Sequence, residues 1–163
     1  MLATLNLKAP EGKEIFMSLA KQADVIIENM RAEVKHRLKV SYDDVKKVNP
    51  RIVYGSISGF GQSGPYGKRA GVDQIVQGMG GLMSITGEPG GAPAKNGNAV
   101  SDMNAGILGA LGIVAAYVHK LKTGQGQIVD TSLSDAALQQ LYWHAAIFFA
   151  TGQSSGPTGS AHI

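Results

Sequence analysis

Asp102 is the residue whose position most clearly points to chemistry. It follows a glycine-rich loop and is the last charge before a 16-residue apolar run from Met103 to Val118. A helix over 102–121 places this carboxylate in its first turn, where free N–H groups and the helix dipole stabilise a negative charge. We therefore expect Asp102 to be ionised at neutral pH. Taken alone, the pattern favours a helix-capping role over a chemical one.

A second group of candidate residues is basic. Five basic side chains crowd into residues 29–39, after a predicted strand and at the sheet edge where α/β proteins bind ligands: Arg31, Lys35, His36, Arg37 and Lys39. Residues 1–70 hold 12 Lys and Arg against 7 Asp and Glu, whereas residues 71–163 hold 3 against 5. The first part of the chain is suited to an anionic ligand, with a solvated basic surface as an equal alternative.

The elements that must position these residues alternate as in an α/β fold. Apolar runs and alternation predict strands at 3–8, 24–28, 51–58 and 127–131. Helical periodicity and end signals predict helices at 10–23, 41–49, 72–83, 102–121 and 133–150, and a turn-and-helix element at 29–39. Ser41 and Asp44 resemble a capping box for one of them. This order indicates βαβ units and an open, mainly parallel sheet with flanking helices.

The glycine-rich segment 59–64 formally matches a dinucleotide-binding pattern, which we reject. The pattern requires a helix that opens at the third glycine, but Pro65, Tyr66 and Gly67 continue the loop. Two interpretations stay open: backbone N–H groups exposed beside a ligand, or a surface turn. Asp73 and Gln77, on the helix that follows, are interpreted as structural.

Composition narrows the class of protein further. The 163 residues are 44% hydrophobic and 17% charged, which is typical of a globular protein. There is no cysteine and therefore no thiolate chemistry. No metal site is expected, because metal-ligand spacing is absent around the histidines, which are His36, His119, His144 and His162. A leader is not recognised at Met1, and the apolar run is short for a membrane span. We expect a cytoplasmic protein without nucleic-acid or membrane partners.

An ordered series of motifs resembles the family III CoA-transferases of the CaiB/BaiF type, which include formyl-CoA and carnitine CoA-transferases. The motifs span nearly the whole chain. They are Glu28-Asn29 with Arg37-Leu38, the run from Asn49 to Pro65, Ser84 to Gly87, Asp102 with Gly106, and Thr123 to Gln127 with Asp130 and Ser132-Leu133.

The resemblance implies a function and a site. The family uses a single catalytic Asp as covalent nucleophile, which matches Asp102, and moves coenzyme A from an acyl-CoA to a small carboxylic acid. It places part of the CoA site at positions that match Asn29, Met30, Arg37 and Leu38. Arg37 is the candidate phosphate partner, because a planar guanidinium suits phosphate oxygens. A solvated surface role for Arg37 is the alternative.

The sequence departs from the family pattern in composition and in length. Ala32, Glu33 and Lys39 stand where the family usually has Pro, Gly and Gly. Val72 stands where the family's acyl-CoA racemases carry His, so the racemase alternative lacks one proton-transferring base. Family members are longer at both ends. Residues 1–150 are therefore expected to form part of a Rossmann-like large domain, and residues 151–163 a flexible Gly/Ser-rich tail.

The difference in length also bears on activity. We expect the chain to be a central fragment that is inactive alone, and an interlocked homodimer for the full-length protein, as the resemblance implies. The alternative from another class is a non-catalytic fragment or binding module.

Overall fold

Three strands form the framework of the protein. The computed structural model describes residues 3–162. Its strands lie side by side in chain order in an open parallel sheet, which confirms the predicted α/β class: β1 (Val25–Glu28), β2 (Val53–Ser58) and β3 (Gln127–Ser132). Val25 pairs with Val53, and Glu28 pairs with Ser56. This register brings the last residue of β1 beside a polar residue of β2.

Helices connect and follow the strands. They are α1 (Pro10–Gln22), α2 (Ala32–Leu38), α3 (Tyr42–Lys46), α4 (Asp73–Met79), a 3₁₀ helix (Leu82–Ile85), α5 (Val100–Thr123), α6 (Leu133–Gln140) and α7 (Tyr142–Thr151). The helix predicted at 72–83 stops at Met79 because the chain turns at Gly81, which has a φ of 89°. The helix predicted at 133–150 is two helices that meet at Leu141.

The strand predicted at 3–8 is wrong. Asn6 turns the chain instead: its side-chain oxygen accepts the Lys8 N–H at 3.1 Å, and its backbone oxygen accepts the Ala9 N–H at 3.0 Å. A side chain that bonds the backbone two residues on favours a turn over a ladder. Pro10 then begins α1, as predicted.

The capping box before α3 is confirmed. The Ser41 N–H and hydroxyl both donate to Oδ2 of Asp44, at 3.2 and 2.7 Å. Two polar groups at the helix start are thus satisfied by one carboxylate, which fixes where α3 begins.

The described chain divides into two compact units. Residues 3–58 with 109–131 form the first, whose core includes Ala20, Val45, Ile52, Tyr54, Ile113 and Ala116. Residues 59–108 with 132–162 form the second, where Val76, Leu133, Ala136 and Ala137 are buried. The division into 1–150 and a tail from 151 stays a prediction.

The apolar helix α5 contributes to the cores. By length and composition, its 24 residues would suffice to cross a membrane. However, Ala105, Ile113 and Ala116 on it are buried, and the latter two pack against Val53 of β2. Only 28% of its apolar window is buried, and Ile107 and Leu111 are 63% and 66% exposed, so much of the apolar surface of α5 is uncovered in the described chain.

Candidate functional site

Asp102 lies in the first turn of α5, two residues after its start at Val100. The residue is exposed. Within residues 3–162, no hydrogen bond or ion pair engages its side-chain carboxylate, so the side chain does not cap the helix. A carboxylate that is exposed and not committed to a structural bond is available to react.

The electrostatic expectation for Asp102 is wrong in direction. Partial desolvation and the nearby Asp73 carboxylate raise the pKa of Asp102 above its usual value, whereas the helix terminus was expected to favour the charged form. Asp73 is held near this turn by Ser101, whose N–H donates to Oδ1 of Asp73 at 2.8 Å. One free N–H of the first turn is therefore bonded to a second carboxylate, whose negative charge disfavours ionisation of Asp102.

The buried side-chain amide of Gln77 also bonds Asp73 and links it to the loop before α5. Gln77 is fully buried, and its Nε2 donates to Oδ2 of Asp73 at 2.6 Å and to the Asn98 oxygen at 3.3 Å. Its Oε1 accepts the Asn96 N–H at 2.8 Å. The interpretation of Asp73 and Gln77 as structural agrees with these bonds, whereas the segment that they hold was not predicted. Their i, i+4 spacing on α4 is the signal that they act together.

A basic groove lies in the first unit. It has a volume of about 300 Å³ and is lined by Leu7, Lys8, Lys13, Arg37, Leu38 and Lys39. Four of these six residues are cationic and none is acidic, so the groove suits an anion with an adjoining apolar part. Two predicted residues, Arg37 and Leu38, are brought together here. Lys39 belongs to the basic cluster of residues 29–39, whereas Lys8 and Lys13 are indicated only by the charge excess of residues 1–70.

Lys39 explains how the chain tolerates a departure from the family pattern. It ends α2 in the left-handed conformation, with φ 56° and ψ 46°, which glycine adopts most readily. The backbone thus takes a glycine-type turn while the lysine side chain lines the groove. The substitution adds a cation at a conformational cost of about 1 kcal/mol.

A buried ion pair fixes α2 against the sheet. Lys35 Nζ lies 2.6 Å from Oε1 of Glu28 and also donates to Ser56, and the Ser56 hydroxyl bonds the same carboxylate. Oε2 of Glu28 accepts the Met30 N–H at 2.7 Å. β1, β2 and α2 are therefore joined at one point, which positions the start of the loop before α2.

The predicted residues Asn29 and Met30 follow this ion pair directly. Asn29 is exposed and Met30 is half-buried, and neither lines the basic groove. The structure therefore places the five predicted site residues in three settings: Arg37 and Leu38 in the groove, Asn29 and Met30 at the end of β1, and Asp102 in the other compact unit.

Comparison with known proteins identifies the class. The model of CoA-transferase family III matches residues 2–163, nearly the whole chain, and the chain belongs to this family. It is 41% identical over 157 residues to the succinate–glutarate CoA-transferase of Agrobacterium fabrum, covering 96% of this chain and 39% of that protein. It is 38% identical over 159 residues to the acetyl-CoA:oxalate CoA-transferase of Acetobacter aceti, and the match covers 97% of this chain and 41% of that protein.

A solved structure agrees. The crystal structure of a CaiB/BaiF family protein from Brucella suis superposes with a TM-score of 0.93 at 38% identity, covering 98% of this chain and 42% of that one. The chain thus spans about two fifths of the length of the relatives it matches. This supports the interpretation of the chain as part of a longer family III protein.

Proposed function

We propose that the protein to which this chain belongs transfers coenzyme A from an acyl-CoA to a carboxylic acid, with Asp102 as covalent nucleophile. One observation carries the proposal: an exposed carboxylate without a structural partner among residues 3–162 begins α5 of a family III chain. Its raised pKa supports the role, because a more basic carboxylate is a better nucleophile.

The reaction divides into attacks on carbonyl carbons. The Asp102 carboxylate attacks the thioester carbonyl of the acyl-CoA; the C–S bond breaks, CoA thiolate leaves and an aspartyl mixed anhydride forms. The thiolate attacks the aspartyl carbonyl, which releases the donor acid and leaves Asp102 as a CoA thioester. The acceptor carboxylate then attacks this thioester; the C–S bond breaks, CoA thiolate leaves and a second mixed anhydride forms. The thiolate attacks the acceptor carbonyl of this anhydride, which gives the new acyl-CoA and free Asp102.

The basic groove supports a role in CoA binding. CoA carries phosphates beside an apolar pantetheine arm, and the groove combines four cations with Leu7 and Leu38. Arg37 is proposed as the principal phosphate ligand because its guanidinium can donate to two phosphate oxygens at once. Asn29 and Met30 are proposed to contact CoA at the end of β1.

The relatives suggest which acids to test. The names of the Agrobacterium and Acetobacter proteins specify succinate, glutarate and oxalate, all small dicarboxylic acids. We propose a small carboxylic acid as acceptor and these three as the first assays. A cytoplasmic, interlocked homodimer without a metal requirement completes the proposal for the full-length protein.

Trapping tests the nucleophile. The full-length enzyme is incubated with succinyl-CoA and hydroxylamine, which converts an aspartyl thioester into a hydroxamate that peptide mass spectrometry locates. We expect modification at Asp102 and loss of transfer in Asp102→Ala. Asp43→Asn serves as a matched control, because Asp43 is an exposed acid on α3. Transfer that persists in Asp102→Ala would refute the proposed mechanism.

A separate measurement tests the binding-module alternative. The chain of 163 residues is mixed with CoA, and its thermal stability is followed with and without Arg37→Ala. Two results together would favour a module that only binds CoA. CoA stabilises the chain and Arg37→Ala abolishes that stabilisation, while the full-length protein shows no transfer activity.

A further inference from the structure

We propose that Asp73 and Gln77 are positioning residues for the Asp102 nucleophile: from α4 they fix the chain that leads into α5 and the first turn that carries the reactive carboxylate. The inference rests on the proposed function and names two further residues that act through Asp102. Neither needs to touch a substrate.

The backbone groups that Asp73 and Gln77 bond lie close together in the chain. Gln77 bonds the backbone of Asn96 and Asn98, and Asp73 bonds the backbone of Ser101, so three residues among the six before Asp102 are tied to one helix. Ser101 adjoins Asp102 and is itself fully buried. Hydrogen bonds from the side chains of α4 to this backbone therefore hold the segment that carries the Asp102 carboxylate.

The Gln77 amide is used almost completely. Both acceptors, on Asp73 and Asn98, face its nitrogen, and the donor on Asn96 faces its oxygen. This pattern leaves one orientation of the amide. A change at Gln77 therefore leaves buried groups without partners and frees the loop before α5.

Asp73 adds an electrostatic contribution to the geometric one. It lies in the same compact unit as Asp102 and is the charged group whose effect on that carboxylate is resolved in the described chain. Desolvation and, after it, the negative charge of Asp73 raise the pKa of Asp102, which favours attack on a thioester carbonyl. Replacement by Asn removes the charge and keeps one oxygen that can accept the Ser101 N–H, whereas its NH2 group faces the Gln77 amide nitrogen and cannot accept that hydrogen bond.

The test uses the full-length enzyme and three variants, Gln77→Leu, Asp73→Ala and Asp73→Asn, with Asp43→Asn as control. We expect Gln77→Leu and Asp73→Ala to lower kcat by about 10²-fold, the loss typical of a reactive group displaced by about 1 Å. The KM for acyl-CoA should change less than kcat. Asp73→Asn should retain more kcat than Asp73→Ala, because the bond to Ser101 can persist.

The pH profile separates positioning from a general loss of structure. In Asp73→Asn the acidic limb of the kcat profile should move to lower pH, since Asp102 ionises more readily without the neighbouring charge. Asp43→Asn removes the same charge elsewhere and should leave the limb in place. If Gln77→Leu and Asp73→Ala do not fold, the Asp73→Asn profile decides: an unshifted limb overturns the proposal.

Failure of the inference is distinguishable from failure of the proposed function. Hydroxylamine labelling of wild-type Asp102 establishes the nucleophile independently of α4. Labelling in wild type, together with wild-type kcat in folded Gln77→Leu and Asp73→Ala, would overturn the positioning role alone. Absence of labelling in wild type would overturn the function on which the role depends.

Discussion

Replacement of Lys35 by Met in the full-length protein should lower the free energy of unfolding by about 3–5 kcal/mol, the usual cost of removing one partner from a buried ion pair. The side chains of Lys35 and Glu28 are only 3% and 6% exposed, and their charged atoms lie 2.6 Å apart. Met has a similar length without the charge. The variant therefore leaves the Glu28 carboxylate buried, with the Ser56 hydroxyl and the Met30 N–H as its remaining partners.

A matched surface pair provides the control. Lys47 and Asp44 are 3.6 Å apart, with the Lys47 side chain 74% exposed, so Lys47→Met should cost no more than about 1 kcal/mol. The double variant Glu28→Leu, Lys35→Met should recover much of the loss, because it removes both buried charges together. Urea denaturation at pH 7 measures all three free energies. Equal losses in Lys35→Met and Lys47→Met would refute the argument from burial.

The same variant should affect ligand binding. Lys35 joins α2 to the sheet, and α2 carries Arg37 and Leu38. Lys35→Met is therefore expected to raise the KM for acyl-CoA more than it lowers kcat, the reverse of the pattern expected for Gln77→Leu. An unchanged KM in a folded variant would show that the ion pair supports stability without organising the groove.

Four further predictions concern single features. Lys39→Gly should raise the free energy of unfolding by about 0.5–1 kcal/mol in urea, by relieving the left-handed residue, while it weakens CoA binding by removing a cation. Burial raises the pKa of Asp44, but hydrogen bonds from Ser41 outweigh it and lower the pKa overall. Asp44→Asn should therefore reduce thermal stability at neutral pH, with the difference fading as the pH falls through the folded-state pKa. Val72, at the start of α4, cannot transfer protons, so deuterium should not enter the α-carbon of 2-methylacyl-CoA in heavy water. The 163-residue chain alone should associate and bind an apolar dye in light-scattering and fluorescence assays, since Leu111 and Phe149 are 66% and 84% exposed.

The sheet was predictable because a short, local sequence pattern marks each of its strands. The segments 24–28, 51–58 and 127–131 each contain a short β-branched apolar run, and each forms a strand. The stretch at 3–8 has similar alternation, but one side-chain bond from Asn6 decides its conformation. The break at Leu141 was not predictable from periodicity, because apolar residues continue through it without Gly or Pro.

The site was predictable only to the extent that its residues belong to local motifs. Asp102 and Arg37 lie in motifs typical of the family, but nothing near Asp102 in the chain indicates that the Ser101 N–H is bonded by Asp73, 28 residues earlier. Likewise, Lys8 and Lys13 precede β1, whereas Arg37 follows it, and only the fold brings them into one groove. Long-range contacts of this kind set both the charge environment and the lining of the candidate site.

The proposed roles of the two units place opposite requirements on their charge. Phosphate binding needs cations, and the groove of the first unit gathers Arg37 with three lysines. A nucleophilic carboxylate needs basicity, which a neighbouring cation would lower. In the described part of the second unit, desolvation raises the pKa of Asp102, and the charge that acts on it, that of the Asp73 anion, raises the pKa further. Because Asp73 also bonds the backbone at Ser101, a single side chain would contribute both placement and basicity to the proposed nucleophile.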